Sequence, residues 1–151
     1  MIEAIKLMLR ERTLLDVYFI DGTVKRFDVL SLKDKYPQLE QLKNRNLFEK
    51  GKLLGWSAIY WNDELDIDTD YIYEHGDDVT EEYDNIESVI IGFQIKEKRL
   101  ELELSQEELA KRAGIDQSDL SKLEKGLLNP SIKLISRVVK GLNGKLDLSI
   151  H

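Results

Sequence analysis

The stretch SQEELAKRAGIDQSDLSKLEK, residues 105–125, constrains the fold more than any other part of the chain. Ser105 precedes Glu108 by three positions, the capping box that opens a helix. Leu104 before that cap and Leu109 inside the helix are spaced to close as a hydrophobic staple. The pattern then repeats. Asp116 stands at the next cap, Ile115 precedes it and Leu120 answers. Between the two predicted helices lies Gly114, where a tight turn requires left-handed backbone. Ala110 is small where two helices cross closely, and Ala113, Ile115, Leu120 and Leu123 complete an inward face. The spacing predicts two short helices joined by a glycine turn.

On the second of these helices Gln117, Ser118, Ser121, Lys122 and Lys125 are left outward. They are short polar groups and two cations, with no large apolar side chain among them. Gln can pair bidentately with adenine, Ser with either base edge, and Lys with guanine or phosphate. As a bland alternative, the same residues make an ordinary solvated helix face. The chain's formal charge of −7 speaks against a nucleic-acid partner only until it is divided. Residues 1–85 hold 11 Lys/Arg against 19 Asp/Glu, a net of −8. Residues 86–151 hold 11 against 10, a net of +1. The acidity therefore belongs to the first part of the chain.

Residues 91–143 resemble the helix-turn-helix domain of the phage Cro and C1 repressors and the xenobiotic-response-element regulators. The matching residues are Ile91 and Ile95, LSQEELA at 104–110, GI at 114–115, LSKLEKG at 120–126 and NPS at 129–131. The resemblance implies a five-helix-type domain, of which four helices are evident in the sequence. It also implies that Gln106 holds a phosphate and that Gln117, Ser118, Ser121 and Lys122 lie near base edges. Arg99 and Glu124 match a family pair that ties the first helix to the third. Asp119 departs from the pattern, since a carboxylate near phosphates repels them; it can instead serve its own helix as a first-turn acid. Double-stranded DNA is thus the expected partner, bound by a homodimer on two half-sites. KLDLSI at 145–150 alternates like a strand and could pair with its twin or fold back on its own chain.

The first part reads as strands. LLDVYFIDGTVKRFDV is two apolar runs around Asp21-Gly22, which predicts a type I′ hairpin. Leu15, Val17 and Phe19 share one face by alternation, with Asp16 and Tyr18 on the other. Residues 31–50 look helical in their middle, with Pro37 in a first turn and Leu39, Leu42 and Phe48 inward. GWSAIYWNDELDID reads as a second hairpin turning near Asn62-Asp63. Trp56, Tyr60 and Trp61 are expected in the core, as strand aromatics usually are. From 63 to 84 there are eleven acidic residues and no Lys or Arg. The later half, EHGDDVTEEYDN, reads as a solvated linker.

The expected fold is therefore α+β. A small N-terminal α+β domain with β-hairpins and the acidic linker occupies residues 1–80. An all-α, lambda-repressor-like helix-turn-helix domain with a short C-terminal strand occupies 81–151. Residues 3–75 also resemble a bacterial domain-of-unknown-function family, numbered 2442. The resemblance rests on the DG hairpin and the W-x-D-x-x-D-I strand pattern. It implies a possible toxin-like protein partner and an antitoxin-like role.

Inventory narrows the chemistry. There is no cysteine, which rules out thiolate zinc sites and disulfides, and only two histidines, His75 and His151, so histidine-rich metal sites and Ser-His-Asp triads are nearly excluded. DIDTDYIYEHGD at 66–77 begins like a calcium loop, but its sixth place is Tyr71 instead of Gly and its twelfth is Asp77. Strand alternation explains its acids better. No metal, cofactor or catalytic set is expected. No apolar run reaches the roughly 20 residues of a membrane span, and MIEAIKLMLRERTLL lacks the order of a secretory signal. A cytoplasmic, non-enzymatic protein is expected, a transcriptional regulator or, alternatively, a protein-interaction module.

Overall fold

The computed structural model describes residues 1–150 and divides into two compact units, Met1–Asp84 and Asn85–His151. Two sheets build the first unit. One is four-stranded, in the order β1 (Ala4–Leu9), β2 (Leu14–Phe19), β3 (Val24–Asp28) and β7 (Asp77–Asp78). The other is three-stranded, in the order β4 (Lys52–Leu54), β5 (Ala58–Asn62) and β6 (Leu65–Asp68). Every pairing is antiparallel. Between the sheets the chain makes 3-10 turns at Val29–Leu32 and Pro37–Lys43 and the short helix α1 (Arg45–Phe48). Pro37 opens its turn, and Leu39, Leu42 and Phe48 are buried as expected. They join Leu15, Val17, Phe19, Ile59, Trp61 and Leu65 in one core.

Three expectations for this unit are corrected, and one strand went unread. The β2–β3 turn is not type I′, because only Gly22 has positive φ, at 90°. Gly22 N–H donates to Phe19 and Phe19 N–H donates to Thr23, so the loop has three residues with glycine at the left-handed position. The strand β1 had no period-two signal in AIKLML and was not anticipated. Trp56 is 46% exposed, although Trp61 is core. Finally, the acidic segment is not a free linker. Asp68 caps a further helix, α2 (Thr69–His75), by accepting from Asp70 N–H at 2.8 Å. Beyond it β7 pairs with β3, and Val24 N–H donates to the Thr80 hydroxyl at 3.0 Å.

A buried ionic cluster explains why that segment docks. Both faces of β2 are buried, and Asp16 is 0% exposed. Unpaired, a carboxylate in that position would cost several kcal/mol, on the order of the penalty for any buried ion. Arg26 meets it in a fork, Nε at 2.8 Å and Nη2 at 3.0 Å. Tyr83 donates its hydroxyl to the same carboxylate, and its ring meets Tyr18 edge-on at 5.1 Å between centroids. Arg26 also reaches Glu82 at 2.8 Å. The later end of the acidic segment, at Glu82 and Tyr83, is thus held by hydrogen bonds to charged groups, stronger than neutral ones.

Four helices make the second unit: α3 (Ile86–Glu101), α4 (Gln106–Ala113), α5 (Gln117–Glu124) and α6 (Ile132–Gly141). Ile95, Leu104, Leu109, Ala110, Ala113, Leu120, Leu123, Val138 and Leu142 form its core. Residues 144–150 form no strand. Alternation alone does not make one, since a strand needs a ladder partner, which for the twin pairing a second copy would supply. The fifth helix implied by the resemblance has no counterpart among the described residues.

Candidate nucleic-acid interface

The geometry of α4, its turn and α5 follows from local chemistry. Ser105 Oγ accepts from Glu108 N–H at 3.1 Å and its hydroxyl reaches the Glu108 carboxylate at 3.1 Å. Gly114 takes φ 67°, ψ 38°, the left-handed cap anticipated for it. Asp116 has the extended cap backbone, but its side chain makes no capping hydrogen bond. Burial of Ile115 and Leu120 across that turn holds the second helix start instead.

At about 100° per residue, Gln117, Ser121, Lys125, Ser118 and Lys122 form one continuous stripe on α5. Gln117, Ser118, Lys122 and Lys125 are exposed and Ser121 is half-buried. The opposite side carries Leu120 and Leu123, both buried, and the buried Glu124 lies at the edge of the stripe beside Gln117. Asp119 is exposed and falls roughly 60° beyond Lys122, outside the stripe. Gln106 is the first residue of α4, on a different helix from that stripe. It is half-buried, and its Nε2 donates to Glu124 Oε1 at 3.1 Å.

Glu124 is a shared anchor. Arg99 meets it bidentately, at 2.7 and 2.9 Å, and each residue is 7% exposed. A third Arg99 bond, at 2.8 Å, goes to the Leu104 carbonyl just before α4. The hydrogen bonds from Arg99 to Glu124 raise the guanidinium pKa above its ordinary value, against the opposing effect of burial. One carboxylate therefore ties α3, α4 and α5 together. The spacing of three helices against each other is what presents the stripe.

Sequence reasoning missed three positioning features. Arg137 of α6 donates to the carbonyls of Ala113 and Gly114 at 3.2 and 2.7 Å, satisfying the C-terminal end of α4. Arg112 reaches back to the Gly141 carbonyl at 3.4 Å. Gly92 lets α3 approach α5 so closely that a Cβ there would lie 2.2 Å from the Leu123 carbonyl oxygen. An isolated glycine inside a helical run was the available signal for Gly92. No local signal marks the two arginines.

Comparison with known proteins follows the same division. Residues 95–148 match the family described as helix-turn-helix. A helix-turn-helix-type transcriptional regulator of Archaeoglobus fulgidus is 43% identical over 53 residues, which are 35% of this chain and 75% of that protein. The chain belongs to the helix-turn-helix transcriptional regulators. The regulator SinR of Bacillus subtilis is 41% identical over 63 residues, covering 41% of this chain and 53% of SinR. Among solved structures, the restriction-modification controller protein C.AhdI of Aeromonas hydrophila is 32% identical, with a TM-score of 0.38. That likeness covers 39% of this regulator and 89% of the controller. Residues 8–78 match a second family, proteins of unknown function numbered 2442. No helix of the described residues is long and apolar enough to cross a membrane.

Proposed function

We propose that the protein is a sequence-specific DNA-binding regulator in which α5 enters the major groove. The observation that carries this is the α5 stripe: an exposed polar and cationic face on a helix whose other side is buried and anchored. Gln117, Ser118 and Ser121, nearest the helix start, would meet base edges with Lys122. Lys125 would meet backbone phosphate, which positions without specifying. Gln106 would reach a phosphate by donating the second N–H of its Nε2, the first being given to Glu124. One such module has a small footprint, so binding as a homodimer to two half-sites about a turn apart is the natural mode. Repression, including repression of its own gene, is the regulatory outcome such a protein would have.

Fluorescence anisotropy of the full chain with its own upstream DNA, against a scrambled duplex at two salt concentrations, tests this. Preferential binding that weakens with salt supports the reading. Equal, weak binding to the upstream duplex, the scrambled duplex and a randomised pool would sink it.

A second reading concerns the first unit, whose residues 8–78 match a separate family of unknown function. In it, the first unit captures a partner protein, antitoxin-like, and DNA binding is secondary. Recovery of a stoichiometric protein bound to residues 1–84 from the native host would favour it. A lone chain that still binds DNA specifically would not.

A further inference from the structure

The first unit has a groove to which nothing above gives a role. It holds about 300 Å³ and runs along β6, which has no strand beyond it in its sheet. Leu39 and Ile67 make an apolar floor, and Tyr36 and Tyr71, 41% and 37% exposed, stand at its sides. Glu64, Asp66 and Asp68 line it too, and no ion pair engages any of the three among the described residues. Lys35 also lines it, with Nζ 5.3 Å from the Tyr36 ring centroid, so that ring already faces one ammonium.

We infer that this groove docks an extended, basic segment of a partner protein through its arginine or lysine side chains. The chemistry selects that occupant. An apolar floor suits the aliphatic stem of such a side chain, an aromatic face attracts its cation, and the carboxylates pair with it. Position selects it further. Asp66 and Asp68 are exposed at alternate places of β6, so they share one face. A segment laid along an outer strand puts cations at its own alternate places opposite them, the mode of strand addition.

The test uses the full-length protein and a fluorescein-labelled peptide, Gly-Arg-Gly-Arg-Gly-Arg-Gly, followed by anisotropy. Binding should weaken about fivefold or more in Tyr36→Ser, which leaves the charge unchanged. Asp66→Asn should weaken it similarly, and Glu81→Gln, an exposed acid outside the groove, should not. Unchanged unfolding midpoints establish that the variants are folded. Three results would overturn the proposal. One is no binding by the wild type tighter than about 1 mM. The second is equal loss in Asp66→Asn and Glu81→Gln with none in Tyr36→Ser, which marks bulk charge. The third is displacement of the peptide by spermidine at matched charge, which assigns the groove to a free amine.

Discussion

Gly92→Ala sets two effects of opposite sign against each other, and the structure decides between them. Residue 92 is in the interior of α3, where alanine is favoured over glycine by about 0.8–1.0 kcal/mol. On propensity alone the variant would be more stable. Its new Cβ, however, would lie 2.2 Å from the Leu123 carbonyl oxygen and 2.9 Å from that of Glu124. Both are backbone atoms of the last turn of α5, so no side-chain rotation relieves the contact. Overpacking of this kind costs about 1–3 kcal/mol, occasionally more, and the backbone target places it at the upper end. A net loss of roughly 2 kcal/mol remains after the propensity gain. For a unit this small, that is a fall of roughly 8–15 °C in the midpoint of its thermal transition. Circular dichroism at 222 nm (a wavelength dominated by helix,) reads the transition. DNA anisotropy well below it should also show weaker binding, because relief of the clash displaces the end of α5. A midpoint at or above that of the wild type would refute the close approach of α3 and α5.

Further outcomes follow from other residues. Arg99→Met should cost about 3–5 kcal/mol by stranding the buried Glu124, whereas the double variant Arg99→Met/Glu124→Leu should recover most of it; urea unfolding separates the two. Tyr83→Phe removes the hydroxyl from buried Asp16 and should cost about 1–3 kcal/mol, with faster hydrogen exchange at residues 77–83 as the local readout. Acid should destabilise the first unit. Burial acts to raise the Asp21 pKa, but hydrogen bonds from Tyr73 and Thr23 outweigh it and hold the carboxyl below its ordinary value. Asp78 is lowered by the Thr80 hydroxyl and N–H. The stability from both is complete above the ordinary carboxylate pKa of about 3.9 and is lost as pH falls below it. Asp78→Asn should flatten that slope in urea midpoints measured across the acid range. Lys125→Ala should weaken binding to all duplexes alike and reduce the salt slope by about 1.

What was legible in the sequence was local. The capping box, the glycine turn and both staples of residues 104–120 lie within a few positions of one another, so short-range spacing specifies them. The same holds for the β5–β6 hairpin and for the inward Leu39, Leu42 and Phe48. What escaped depends on distant partners. Alternation separated Asp16 from the face of Leu15, Val17 and Phe19, and its complete burial depends on Arg10, Arg26 and Tyr83, the last of them far along the chain. Those same contacts turned an apparent linker into the edge of a sheet. Asp116 has a capping residue's type and backbone without the hydrogen bond, because composition at a cap does not fix the side-chain rotamer. A strand at 145–150 needs a ladder partner, which alternation within the segment does not supply. In the candidate interface, the stripe on α5 could be read from helical periodicity. The family resemblance implied the Arg99–Glu124 pair, which the structure shows, whereas the Gln106–Glu124 bond, which needs a third helix to meet them, had no sequence signal.

The central claim is that Gln117 at the start of α5 reads a base. Selection of binding sites from a randomised duplex pool, with wild type and Gln117→Ala in parallel, tests it most directly. The account predicts a defined wild-type site and, in the variant, loss of preference at one position per half-site. Affinity for the wild-type site should fall by about 1–3 kcal/mol. An unchanged site with unchanged affinity would contradict the placement of α5 in the groove.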